Sequence, residues 1–351
     1  MDQKIVRWCR EHSIIFIGIA AIAIALLAVR INLRFWSLET VGSDTYHSWV
    51  EGRRILRGQN PYERILHGDM EENQKYSTYF PLFYELSALV QKAGIKQYYP
   101  WISFWRYFFM LGNIATGLAL CVMIFTRRTW GLALLALPFW YFNRWTLSAS
   151  ATVALDFIPI FLMVLSLGLF DKYRRTSLLL FSFSLAIKQI AIFLAPLYLV
   201  WEYQQSRSIR QTILAGLWII SIPLLASIPF LFWNAEGFVR SISFSATRSA
   251  LNHFGAESLD RILNMNGLLA RVPFLCMLGT AYFSAWQRAV GRYGAAMLVM
   301  GIFIAFNSVL FTHYPAWLMP LLPLAAGEWM LSAKESSEES DDESRGHPFA
   351  K

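Results

Sequence analysis

Charge is scarce in this chain. Asp, Glu, Lys and Arg make up 15% of its 351 residues, against 56% hydrophobic and 16% aromatic residues. Soluble domains carry about a quarter charged residues, so the shortfall places the chain among polytopic membrane proteins. Cysteine is scarcer still: Cys9, Cys121 and Cys276 are odd in number, far apart and set in or beside apolar segments, so neither a disulfide framework nor a zinc site is indicated. No glycine-rich phosphate loop follows a strand, no HExxH suggests a zinc hydrolase and no GxSxG marks a serine hydrolase. The net charge of +8 does not point to nucleic acid, because the basic residues are spread over short turns between apolar runs. They read as topology signals.

What is present is a succession of apolar runs. Lys4, Arg7 and Arg10 precede one from about Ile14 to Leu27 that continues to Leu33, a signal anchor with a cytoplasmic N-terminus. Further spans are expected at 102–126, 130–147, 151–170, 177–203 as two short helices, 212–233, 267–286, 293–312 and 315–332. The expected fold is therefore an all-α membrane bundle of about ten transmembrane helices, a single domain over 1–332. If the spans alternate, Arg127/Arg128, Lys172/Arg174/Arg175, Arg207/Arg210 and Arg288/Arg292 share the cytoplasmic side. Two loops, 34–101 and 234–266, then lie outside. The acidic tail 333–351 is expected to be disordered and cytoplasmic, and the plasma membrane is the expected location.

The first loop contains two amphipathic stretches. From Thr45 to Leu56, Tyr46, Trp49, Val50 and Ile55 fall at helical spacing with Arg53, Arg54 and Arg57 on the polar side, and Gly58 stops the helix. Pro81 opens a second stretch to about Val90, too short to cross. Both are expected as interfacial helices. Asn60-Pro61-Tyr62 between them reads as a turn, and Asp69, Glu71 and Glu72 as a solvated loop.

Four further features invite a functional reading. Asp44, in Gly42-Ser43-Asp44-Thr45-Tyr46, puts a carboxylate just beyond the first span; either it or Ser43 can also serve as a helix cap. Lys188 lies mid-run, where a charge costs at least about 2.5 kcal/mol. A helix break there would bring its ammonium to an extracytoplasmic turn; otherwise it snorkels or pairs with Asp156. His313 starts the last span between aromatic neighbours. Arg248 and His253 occupy the second outer loop.

In combination these residues resemble a known family. The first span, Asp44-Thr45-Tyr46, an arginine-bearing helix, Gly58-x-Asn60-Pro61-Tyr62 and Tyr79-Phe80-Pro81-Leu82 look like the GT-C class of membrane glycosyltransferases. Within it the chain is most similar to glycosyltransferase family 87, mannosyltransferases that use polyprenyl-phosphate mannose. Ser184-Leu185-Ala186-Ile187-Lys188-Gln189 and Thr312-His313-Tyr314-Pro315-Ala316-Trp317 agree in kind, and the likeness runs from about residue 14 to 332. The chain departs from the family at Phe80-Pro81, where two prolines are usual, and at Ser148-Ala149-Ser150-Ala151, where a Gly-Gln-type turn is usual.

The resemblance implies inverting transfer of a hexose, mannose first, from a polyprenyl-phosphate donor to a hydroxyl of a glycolipid or glycan acceptor on the outer face. It implies Asp44 as the base, with Lys188, His313, Arg248, His253 and Arg54 as candidate ligands of donor phosphate or substrate. Membrane lipids are the surrounding partners, and no metal, cofactor or nucleic acid is expected. No cytoplasmic segment is large enough for a soluble nucleotide-binding domain, which argues against a nucleotide-sugar donor. Two other readings stay open: a transporter or lipid flippase, although no internal repeat with paired broken helices is evident, and a non-catalytic subunit of a glycan-assembly complex.

Overall fold

The computed structural model describes residues 3–37, 40–69, 72–73, 75–126, 129–247, 259–265, 267, 269–307 and 311–332. Among these the chain is all-α, with no strand. In chain order the helices are α1 (Gln3–Arg34), α2 (Asp44–Leu56), α3 (Leu82–Lys92), α4 (Tyr98–Ile124), α5 (Trp130–Phe142), α6 (Arg144–Ala151), α7 (Phe157–Leu169), α8 (Arg174–Ile187), α9 (Ala195–Ser206), α10 (Ile209–Thr247), α11 (Leu259–Ile262), α12 (Val272–Trp286) and α13 (Arg292–Phe306). A helical stretch over 321–332 follows.

Among the described residues three helices are long and apolar enough to cross a membrane, at Ile15–Arg34, Tyr98–Ile124 and Ile209–Phe244. They mark the chain as a membrane protein. About ten spans were expected, two of them short, and the described residues do not hold that many: α5, α7 and α13 are apolar but have only 13 to 15 residues, about 20 Å of helix against a hydrocarbon core of about 30 Å. The apolar runs are cut by backbone that hydropathy does not register. Asn143 ends α5 and caps α6, its Oδ1 accepting the N–H groups of Trp145 and Thr146 at 3.0 and 2.9 Å. The expected span 151–170 becomes helical only at Phe157, after a turn in which Val153 adopts φ +51°. The run 177–203 breaks at Lys188, as expected, in extended backbone (φ −154°, ψ 117°). A second difference concerns the outer loop 234–266. Asn234 kinks α10, but its side chain accepts the Gly237 N–H at 2.9 Å and restarts the helix, which runs on to Thr247.

The turns sort to two ends of the bundle. At one, Arg292 Nη1 and Gln205 Nε2 both donate to Asp171, at 2.7 and 2.9 Å, and Arg174 Nη1 lies 3.1 Å from Glu202. This joins the α7–α8, α9–α10 and α12–α13 turns, which carry three of the four basic clusters expected on one side; Arg127/Arg128 lie outside the described residues. At the other end lie the first loop and the breaks at 152–156 and Lys188. The core between them is apolar, with Ile160, Val164, Leu167, Phe181, Leu194 and Val299 fully buried.

Both helices of the first loop fall near their expected bounds, but α2 buries Thr45, Ser48 and Glu51 alongside Trp49. Its inner face meets protein rather than lipid. Gln91 Nε2 of α3 donates to the Trp49 carbonyl at 2.9 Å, and Gly52 lets the two helices touch. Tyr62 turns the loop back, as expected of Asn60-Pro61-Tyr62: fully buried, it packs on Phe230 and Phe238 of α10 at ring distances of 5.3 and 4.9 Å. A Cβ at Gly52 would stand 2.8 Å from the Ala88 backbone nitrogen and strike the Ser87 hydroxyl. Gly52→Ala should therefore destabilise the protein by about 1–3 kcal/mol, read as a lower thermal midpoint in detergent.

Candidate functional site

The N-terminus of α2 builds the site. Gly42 takes φ +84°, a left-handed turn that glycine adopts without strain, and Ser43 follows in extended backbone. The Ser43 hydroxyl accepts the Tyr46 N–H at 3.2 Å, so the cap is Ser43 and the Asp44 side chain is left for other partners. Its Oδ2 accepts the Tyr79 hydroxyl at 2.6 Å and lies 3.4 Å from Lys188 Nζ; its Oδ1 is paired with Lys75 Nζ.

The chain of charges continues inward. Lys188 is fully buried, its ammonium 2.9 Å from Asp156 Oδ2 and 5.2 Å from the Tyr79 ring centroid. Asp156 is 0% exposed, and its other oxygen accepts the Trp317 indole N–H at 2.5 Å. Two carboxylates and two ammonium groups thus balance, closed at the inner end and open at the outer, where the Asp44 and Lys75 side chains are 21% and 25% exposed. Each buried ion has hydrogen-bonded partners, the condition under which charges survive in a low-dielectric interior.

Neighbouring backbone holds this arrangement in place. Thr45 Oγ1 donates to the Val153 carbonyl at 2.6 Å, and Val153 is a β-branched residue in the left-handed region, a conformation that costs about 1–3 kcal/mol. That strained turn delivers Asp156 three residues later. The segment 75–79 is tied on several sides: Ser77 and Thr78 carbonyls accept from Ser241 at 2.6 Å and Gln189 at 2.5 Å, and the Tyr79 carbonyl accepts the Tyr62 hydroxyl at 2.7 Å.

Electrostatics follow from the placement. Burial alone would raise the Asp44 carboxyl, but Lys75, Lys188 and His313 outweigh it and hold the group well below the usual carboxylate value. Burial, reinforced by Lys75, pushes His47 down to about 4. His313 is lowered by burial, with Asp156 partly opposing. The ring stacks on Phe311 at 5.7 Å, and its Nε2 is buried without a hydrogen-bond partner among the described residues.

Of the residues singled out in the sequence, the structure unites Asp44 and Lys188 and sets His313 beside them. At Lys188 the helix breaks, but the ammonium is buried and pairs with Asp156. Arg54 does not join them. It stands ten residues along α2 from Asp44, about 15 Å, with Nε 3.6 Å from Glu51. Arg248 and His253 lie outside the described residues. Lys75 and Tyr79 went unrecognised as site residues, although Tyr79 and Trp317 both fall inside motifs that the family likeness had picked out. Among the described residues no three of His, Cys, Asp or Glu gather as metal ligands would. No family model matches the sequence, and no curated protein matches it.

Removing one partner of the buried pair should be costly. Asp156→Asn leaves the Lys188 ammonium with Asp44 alone, at 3.4 Å, and should destabilise the protein by about 3 kcal/mol, whereas Asp156→Asn with Lys188→Met should recover part of that loss. Thermal unfolding of the three variants checks the order.

Proposed function

We propose that this chain is an inverting membrane glycosyltransferase that moves a hexose, mannose first, from a polyprenyl-phosphate donor to a hydroxyl of a glycolipid or glycan acceptor on the extracytoplasmic face. The observation that carries the reading is Asp44: an ionised, part-exposed carboxylate just past the first span, oriented by Tyr79 and two lysines. In a one-step displacement Asp44 takes the proton of the acceptor hydroxyl as its oxygen bonds to the anomeric carbon. The bond from that carbon to the phosphate oxygen breaks, and the lipid phosphate leaves with the electron pair.

A leaving phosphate gains charge and calls for donors on the same face. Lys75 suits that role better than Lys188, because it is part-exposed while Lys188 is buried and committed to Asp156. The unpartnered Nε2 of His313 is a second candidate. A place for the lipid tail is at hand: an apolar groove of about 510 Å³ runs between α5 and the 321–332 stretch, lined by Leu132, Leu135, Phe139 and Leu322. Leu322 is five residues beyond Trp317, the residue bonded to Asp156, and so within about 18 Å of it by chain length. The buried Lys188–Asp156 pair also suits a transporter, since ionisable residues inside a bundle mark ion and substrate paths.

Asp44→Asn separates these readings. Transfer from radiolabelled polyprenyl-phosphate mannose in proteoliposomes should fall by about 10²–10⁴-fold, the contribution of a general base, while the protein stays folded. A transporter would keep its flux in the variant, and a scaffold would transfer nothing even as wild type. The pH profile gives a further check. The active form is the carboxylate, and its proton affinity is depressed, so the rate should hold on the acid side until below the ordinary Asp value of about 3.9. An acid limb near pH 6 would mean that another group is the base.

A further inference from the structure

A second recess opens at the far end of α2. Its volume is about 630 Å³, inside the roughly 300–1,000 Å³ range of small-molecule sites. Asn60, only 4% exposed, forms part of its lining. The Asn60 Oδ1 accepts the Tyr62 N–H at 3.0 Å, which fixes which way the amide faces. The opposite atom, Nδ2, is buried and meets no acceptor among the described residues. A buried donor left unmatched costs about 1–3 kcal/mol, and Asn60 is a lining residue that carries one.

The walls decide which acceptor. Arg54 and Arg64 present guanidinium groups while Glu63 and Glu72 present carboxylates. Arg64 is already matched from behind by Glu51, which is 2% exposed. An anion entering would meet two carboxylates, and a cation would meet two guanidiniums. A polyol suits both, because each hydroxyl donates to a carboxylate and accepts from an amide or guanidinium nitrogen. Gln59 and Asn73 add side-chain amides to the same lining.

We propose that this recess is a binding site for an uncharged glycan, distinct from the Asp44 centre, and that it holds the sugar end of the acceptor. The acceptor role rests on the transferase reading; glycan binding does not. The test uses the full chain in nanodiscs, with α-1,2-mannobiose and maltose as probes, followed by saturation-transfer NMR and by acceptor kinetics. Asn60→Asp keeps the oxygen that Tyr62 uses and removes the Nδ2 donor, while Glu63→Ala with His67→Ala alters only the exposed rim.

Wild type and Asp44→Asn should bind a disaccharide alike. Both recess variants should weaken that binding at least tenfold and raise the acceptor KM with kcat retained. If Asn60→Asp fails to fold, the rim variant decides. Disaccharide binding that neither variant changes would overturn the proposal, as would wild type that binds neither disaccharide, whether or not it binds inorganic phosphate. Binding that tracks the recess residues in a protein with no transfer activity would uphold the site and remove the transferase reading.

Discussion

The ammonium of Lys188 is the constraint around which this end of the molecule is arranged. It is fully buried in an apolar bundle, where an unpaired charge costs several kcal/mol. Pairing it requires carboxylates that no single helix can supply, so three elements must end at one point: α8 at Ile187, α7 at Phe157 and α2 at Asp44. The termini have matching polarity. Lys188 sits at a helix C-terminus, whose partial charge is negative, and Asp44 and Asp156 at N-termini, whose partial charge is positive. Trp317 fills the remaining acceptor position on Asp156.

Helix breaks are the structural price of that convergence. Backbone outside a helix is tolerated at membrane depth only where protein or a polar cavity satisfies it. Here the breaks are satisfied locally: the Val153 carbonyl by Thr45, the α6 terminus by Asn143, and Lys188 by its two carboxylates. The breaks that shorten α7 and α8 below a full span are thus the ones that assemble the charged group.

This explains what could be read in advance and what could not. The bounds of α2 and α3 were legible because amphipathic spacing, Gly58 and Pro81 are local signals. The break at Lys188 was legible because a lone charge in an apolar run demands relief. The number of full spans was not, since a hydropathy window averages over Asn143 and over the turn at 152–156, where the decisive feature is a backbone dihedral. Lys75 left no trace because the 75–79 segment is irregular and has no period; its place depends on contacts from Gln189, α10 and Tyr62. Arg54 stands apart from the Asp44 group. Its helix was read correctly, but α2 carries it too far from Asp44 to share a ligand of phosphate size.

On the transferase reading, the lysines set a tension that the chemistry must resolve. A general base works best with a proton affinity near the working pH, and Asp44 is held well below the ordinary carboxylate range. A weak base suffices when the proton it takes has become acidic. As the acceptor oxygen bonds to the anomeric carbon it acquires positive charge, and the proton then passes downhill even to a stabilised carboxylate. What the site must supply is position and a fixed charge state rather than basicity. Tyr79, held through its carbonyl by Tyr62, fixes the angle of the carboxylate, and the lysines keep it ionised. Reaction geometry then depends on the packing of the first loop against α10 as much as on the acid itself.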